Sequence, residues 1–361
     1  MKASFFCNIN KSTWSKNCLL KYTTEPFERL STLPYHHKFW QVPLMVKELG
    51  DWGYNVDIMN DHDRTIRLTK QYDLIIDSFP QNRRIYENNL KRNCFKVFYS
   101  TDANPFWHNR QHELRVKALN LRRHARLQVK ASLPPFNHEL NDFDALFLTG
   151  NQRTLSTFSD IPFKKTAFIK NSANRFPDVN ISQKMPNTFL FLATYPQVLK
   201  GLDLLLEVFA KLPDCSLIIC SQFQNEKDFC SIYLRELYQL PNILPIGFVD
   251  ISSNIFKKVI QVSSYVLLPS CAEGMSGSIL TAMAAGVIPI VSYECGFNEP
   301  DVFFLEQCTI DCIRSTVKTF AQKPLSWIQQ QSYKTQEIAR AHYSASNFSD
   351  SFADALQKLI K

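Results

Sequence analysis

Short apolar runs recur along the chain, separated by stretches in which apolar and polar residues alternate at helical spacing. In the first half, ASFFCNI, YNVDIM, YDLIIDSF, CFKVFYS and FDALFLTG read as buried strands, with amphipathic segments such as KFWQVPLMVKELGDWG between them. The second half repeats the rhythm. NTFLFLAT, CSLIICS, NILPIGFV, SSYVLLPS and VIPIVSY predict strands, and GLDLLLEVFAKL, FCSIYLRELYQL and SSNIFKKVIQV predict helices. Strands built almost continuously of Val, Ile, Leu and Phe, alternating with helices, predict parallel sheets covered on both faces. Between the halves, NSANRFPDVNISQKMPN (171–187) is polar and carries two prolines, the composition of a linker. The expected architecture is α/β, with two Rossmann-like doubly wound domains facing a central cleft. An N-terminal domain is expected at 1–172, a C-terminal one at 173–342, and a closing amphipathic helix at 343–361. Ligands in such sheets sit beyond the carboxyl ends of the strands.

Composition narrows the class. With 45% hydrophobic, 20% charged and 13% aromatic residues, 28 of them Phe, the chain has material for generous cores rather than disorder. No apolar run approaches the ~20 residues of a membrane helix. The run from Ala3 to Cys7 is shorter than the ~7–15 residues of a signal-peptide core. A cytoplasmic location is therefore expected. Ten scattered cysteines without a C-x-x-C pair predict buried free thiols, and no metal site is expected.

The net charge of +8 changes the picture in one place, because much of it falls in His108 to Lys130. There seven Lys/Arg and three His face one Glu, with Leu114, Ala118, Leu121, Ala125 and Leu127 at near-helical spacing. The segment reads as a solvated helix face or as a surface for anionic lipid head groups or an acidic acceptor, including peripheral contact at the inner face of a membrane. No nucleic-acid recognition motif accompanies the charge, so no nucleic-acid partner is expected.

Glycine is where the sequence is most particular. The chain has only nine, and four of them (Gly274, Gly277, Gly286 and Gly296) fall in PSCAEGMSGSILTAMAAGVIPIVSYECG, residues 269–296. SYVLLPS predicts a strand ending at Ser270, and SILTAMAA a helix stopping at Gly286. The turn CAEGMSG thus opens a helix at the carboxyl edge of the second sheet. Unpaired N–H groups of Ser276, Gly277 and Ser278 at that helix N-terminus suit a phosphate, and Glu273 suits sugar hydroxyls.

This turn and two segments upstream resemble the GT-B glycosyltransferases, in particular the retaining enzymes of family 4 (group 1). In that family a Glu-Gly turn is followed, after seven intervening residues, by a second Glu running into Ala-Met-Ala-x-Gly-x-Pro; here the stretch reads EGMSGSILTAMAAGVIP. VLKGLDLLLEVFAKL is similar to the family's Lys-Gly-x-Asp-x-Leu-Leu segment, and NILPIGFVD to its base-binding strand and turn. The resemblance covers about Asn187 to Gly296.

It implies a metal-independent hexosyltransferase of polysaccharide biosynthesis type, using a nucleotide-sugar as co-substrate and no other cofactor. A glycan or lipid-linked acceptor is implied. Lys200 and Gly201 would face the donor diphosphate, and Phe248 and Val249 the base. Glu273 would contact the donor sugar, and the amides of Gly274, Met275, Ser276 and Gly277 would hold sugar and phosphate. The second Glu, which holds the ribose hydroxyls in the family, is Thr281 here. The family's Arg about five residues before the Lys is absent, Thr194 and Tyr195 occupying that neighbourhood. These two departures also motivate an inactive binding subunit of the same fold, and a nucleotide-sugar epimerase is a further alternative. Asp102, at a strand end, is the first-half catalytic candidate, with His36, His37 and His108 on the acceptor side.

Overall fold

The structure, a computed structural model, describes residues 4–28, 36–129, 133–134, 136–174 and 179–360. Lys130 of the basic stretch and residues 175–178 of the expected linker lie outside these. The chain forms two compact units. The first comprises the residues up to Pro105, Pro134–Ser172 and the segment from Ser344 onward; the second comprises Phe106–Leu133 and Ala173–Tyr343.

The first unit holds a seven-stranded sheet: β1 (Phe5–Phe6), β2 (Lys16–Tyr22), β3 (Tyr54–Asn60), β4 (Tyr72–Asp77), β5 (Leu90–Ser100), β6 (Ala145–Leu148) and β7 (Lys165–Phe168). Their order is β1-β3-β2-β4-β5-β6-β7, parallel except for the two-residue edge strand β1. ASFFCNI therefore forms only this short edge, whereas central β2 lies in a segment with no strand pattern. Lys21 explains why. It sits in the middle of the sheet, fully buried, opposite Asp77 of β4, and its ammonium is 2.9 Å from that carboxylate.

In the second unit β8 (Met185–Leu192), β9 (Ser216–Cys220), β10 (Ile243–Pro245), β11 (Ser263–Leu268), β12 (Ile288–Val291) and β13 (Phe303–Phe304) follow the order β10-β9-β8-β11-β12-β13, all parallel. Every residue of β11 and β12 is buried, as expected of strands covered on both faces. The order reverses direction between β8 and β11, and a crevice at the carboxyl ends of such a pair is where doubly wound sheets bind ligands.

Two segments depart from the expected domains. The C-terminal helix Ala345–Ile360 belongs to the first unit, where Phe348, Phe352 and Leu356 share a core with Val42, Met45 and Leu49 of the helix Lys38–Asp51. The basic segment, expected in the first domain, belongs to the second unit. Its helix Pro105–Arg123 buries His108, His112, Val116 and Leu119, while Leu114 and Leu121 of the expected apolar stripe are exposed. Arg122 pairs with Asp203 at 2.6 Å and with Glu207 at 3.2 Å, and Arg123 pairs with Glu236 at 3.0 Å. Two of the cations that read as a solvated or lipid-facing surface are therefore committed to ion pairs within their own unit.

Candidate functional site

The loops that leave β8 and β11 meet at the reversal point of the second sheet. After β8, the short helix Gln197–Lys200 ends at Gly201, whose φ is +81°. A Cβ on Gly201 would lie 2.5 Å from the Pro269 carbonyl oxygen, so the left-handed backbone and the close approach both require glycine. The loop after β11 is tied down on several sides. The Cys271 amide donates to the Leu199 carbonyl at 3.0 Å, Arg115 donates to the Pro269 carbonyl at 3.1 Å, and Ser292 donates to the Ser270 carbonyl at 2.7 Å. Gly296, at φ +73°, backs the turn; a Cβ there would come 2.1 Å from the Gly274 carbonyl oxygen. Close backbone packing thus accounts for glycine at Gly201 and Gly296.

These constraints bring Lys200 and Glu273 together. Their side chains form an ion pair, 13% and 10% exposed, and the Ser270 hydroxyl lies 3.0 Å from the same carboxylate oxygen. One turn further, the helix Gly277–Ala284 begins after Ser276, whose side chain makes no capping bond and whose amide, expected unpaired, donates to the Cys295 carbonyl at 3.4 Å. The first N–H groups of a helix have no acceptor within it and carry its positive dipole end, so this terminus is suited to an anion. A cation, a carboxylate and a helix N-terminus thus converge at the edge of one sheet. Met275 is buried in the unit's core, and the turn after β10 leaves Phe248 68% exposed with Val249 packed against that core. An exposed aromatic face of this kind can stack on a planar ring.

Thr281 stands differently from expectation. Its hydroxyl donates to the Gly277 carbonyl at 2.8 Å and accepts from Asn174 Nδ2 at 2.9 Å. The expected ribose acceptor is already engaged on both sides, one lone pair remaining. Sequence reasoning missed Asn174 and Ser270, since a lone Asn in a linker and a Ser at a strand end carry no recognisable spacing. It also missed Arg115, one basic residue among many.

The first-half candidates are dispersed. Asp102 follows β5, and its Oδ1 accepts from the Ala103 amide at 2.7 Å within its own loop. The rings of exposed His36 and half-buried His37 sit 4.2 Å apart in the first unit. Burial first, then the neighbouring His36, holds the His37 imidazole well below its usual pKa. His108 is buried and belongs to the second unit, which corrects its placement on an acceptor domain. Among the described residues no group of three or more His, Cys, Asp or Glu converges as a metal site, and no helix is long and apolar enough to cross a membrane.

Residues 186–322 match the family of glycosyl transferases group 1, which spans the crevice loops, Lys200, Glu273 and Thr281. No curated protein sequence resembles the chain closely enough to count as a relative. Among solved structures, Anabaena Alr3699/HepE in complex with UDP and glucose is similar with a TM-score of 0.59 at 14% identity, over 95% of this chain and all of that one. Sucrose-phosphate synthase from Thermosynechococcus elongatus is similar with a TM-score of 0.67 at 12% identity, over 96% of this chain and 99% of that one. A glycosyltransferase from Rickettsia africae gives 0.55 at 11% identity, over 96% and 100%. The fold is that of the GT-B glycosyltransferases, and its second unit carries the group 1 match.

Proposed function

We propose that the protein is a glycosyltransferase that moves a hexose-type sugar from a nucleotide-sugar donor to a glycan, lipid-linked or polysaccharide acceptor, with retention of configuration. One observation carries the reading: Lys200 and Glu273 meet beside the N-terminus of the helix Gly277–Ala284, at the reversal point of the second sheet. Breaking a sugar–diphosphate bond places charge on the leaving diphosphate. A fixed ammonium and aligned N–H groups stabilise that charge without reorganising, and they serve this end with no metal or other cofactor in the scheme. Glu273, whose bonds from Ser270 and Lys200 both go to Oε1, would accept from a sugar hydroxyl, and Phe248 would stack on the base. The complexes of Anabaena HepE with UDP and UDP-glucose make UDP-sugars the first donors to try.

Because Arg122 and Arg123 are engaged within the unit, any contact of 108–130 with anionic membrane would draw on exposed Arg110 and Arg126, and on exposed Lys117, which pairs with Glu113 at 2.7 Å. A second reading, an inactive binding subunit of the same fold, is favoured by the engaged hydroxyl of Thr281. Thermal melts of the intact chain with UDP-, GDP-, ADP- and CMP-sugars test the donor class. A true donor at a hundredfold excess over Kd stabilises the chain by about 2.7 kcal/mol. If no nucleotide-sugar raises the melting temperature, the proposal fails; binding without turnover selects the inactive subunit.

A further inference from the structure

One face of the helix Pro105–Arg123 lines a groove of about 420 Å³ formed by the second unit alone. That size falls within the ~300–1,000 Å³ of small-molecule sites. Leu114, Ala118, Leu204 and Ile310 give it apolar walls, and Arg115 and Cys308 stand among them. The Arg115 guanidinium keeps its charge at any working pH and carries about five N–H donors. One donates to the Pro269 carbonyl at 3.1 Å, and the group lies beside the Cys308 thiol. No carboxylate stands within ion-pair distance of it among the described residues. Asp203 acts on it from further away and is itself held by Arg122 at 2.6 Å. The helix Ile310–Ala321 begins at the same groove, capped by Thr309, so its positive dipole end adds to the field there. A charge partly withdrawn from water without a counter-charge is costly, and the exposed Leu114 beside it leaves apolar surface in water.

We propose that this groove binds an amphiphile with an anionic head, a carboxylate or a phosphate. The head meets Arg115, whose planar fork matches either group bidentately, and the apolar body covers Leu114, Ala118, Leu204 and Ile310. An alcohol of the same length lacks the charge and a free anion lacks the body, so neither satisfies both halves of the site. The inference stands apart from the donor reading, because neither Lys200 nor Glu273 lines the groove. Its occupant would still adjoin the donor loop. Cys271, two residues before Glu273, lines the groove, and Arg115 holds the Pro269 carbonyl of the same loop.

Titration calorimetry of the intact chain with octanoate and octyl phosphate, below their micelle concentrations, tests this, with 1-octanol, acetate and inorganic phosphate as controls. At least one amphiphile should bind with one-to-one stoichiometry, and the tighter of the two names the head group. Each control should bind about tenfold more weakly or worse, the worth of one hydrogen bond to a charged group. The same amphiphile should slow maleimide labelling of Cys308 in the wild type, read by peptide mass spectrometry, which places it without any variant. Arg115→Met removes the charge, and Ala118→Phe fills the groove while leaving Arg115 in place. Each should weaken binding about tenfold or more. The inference is overturned if neither amphiphile binds, if octanol or the free anions bind as tightly, or if binding leaves Cys308 labelling unchanged. Undiminished binding by a folded Arg115→Met or Ala118→Phe overturns it as well.

Discussion

Replacing Lys200 by Met and Glu273 by Gln, singly and together, separates what the pair does for the fold from what it does for chemistry. Both substitutions keep the length and shape of the side chain and remove its charge. The pair is nine-tenths buried, so each single change strands a charge in a site of low polarity. Breaking a buried ion pair from one side costs about 3–5 kcal/mol, whereas removing both charges is often neutral. Residual exposure and the Ser270 hydroxyl beside Glu273 put Lys200→Met near the lower figure. The double variant should return to within about 1 kcal/mol of the wild type; with each single change costing about 3 kcal/mol or more, the coupling is about 5 kcal/mol. Urea unfolding of the intact chain, followed by circular dichroism, measures this. Catalysis should not recover with stability. In the proposed reaction Lys200 faces the leaving diphosphate, so its loss should lower kcat about 10²-fold or more in single and double variant alike. Additive stability effects would refute the pair as a buried unit. A double variant that recovered turnover would refute Lys200 as the phosphate-side cation.

Two further outcomes follow from backbone and burial. Gly296→Ala should abolish nucleotide binding and lower the melting temperature, because its Cβ would drive into the Gly274 carbonyl; Gly53→Ala, at φ +84° with nothing within 4 Å, should show only the ~1–2 kcal/mol of a left-handed residue. Equal effects in thermal melts would show that the close approach does not matter. Lys184 is buried with its ammonium donating to the Ile260 and Ser263 carbonyls at 2.7 and 2.9 Å, and burial pushes its pKa down to about 7. The unfolded chain, near 10.5, then holds a proton that the folded chain releases. This group's contribution to stability therefore rises with pH from about 7 to 10.5 and is lost as pH falls through 7. Buried tyrosines and cysteines, pushed up by burial, act oppositely at high pH, so the readout is the difference in urea midpoint between wild type and Lys184→Met across that range. A difference that does not change with pH would contradict the assignment.

The second unit was legible because its strands are covered on both faces and read as unbroken apolar runs, as in β11 and β12. Its functional turn was legible for a related reason: glycine, scarce elsewhere, appears where backbone meets backbone at Gly201 and Gly296. The first unit was harder. Lys21 stands near the end of β2, and Asp77 and the Phe79 carbonyl, 56 and 58 residues away, make a buried lysine tolerable there. No local pattern records such a partner. The same physics concealed the affiliation of 106–133, whose arginines look like a wet surface until Asp203, Glu207 and Glu236 meet them from 81 to 113 residues away. Thr281 matched its family position by spacing, but its bonds to Gly277 and Asn174 depend on a segment 107 residues upstream.

The central claim is that Glu273 and its loop act on a nucleotide-sugar. The most direct measurement is the nucleoside diphosphate released from the best-stabilising nucleotide-sugar, without added acceptor, by the wild type and by Glu273→Ala. The account predicts slow but continuing release by the wild type and a loss of about 10²-fold or more in Glu273→Ala, with its circular dichroism spectrum unchanged. Equal release by the two proteins would contradict it.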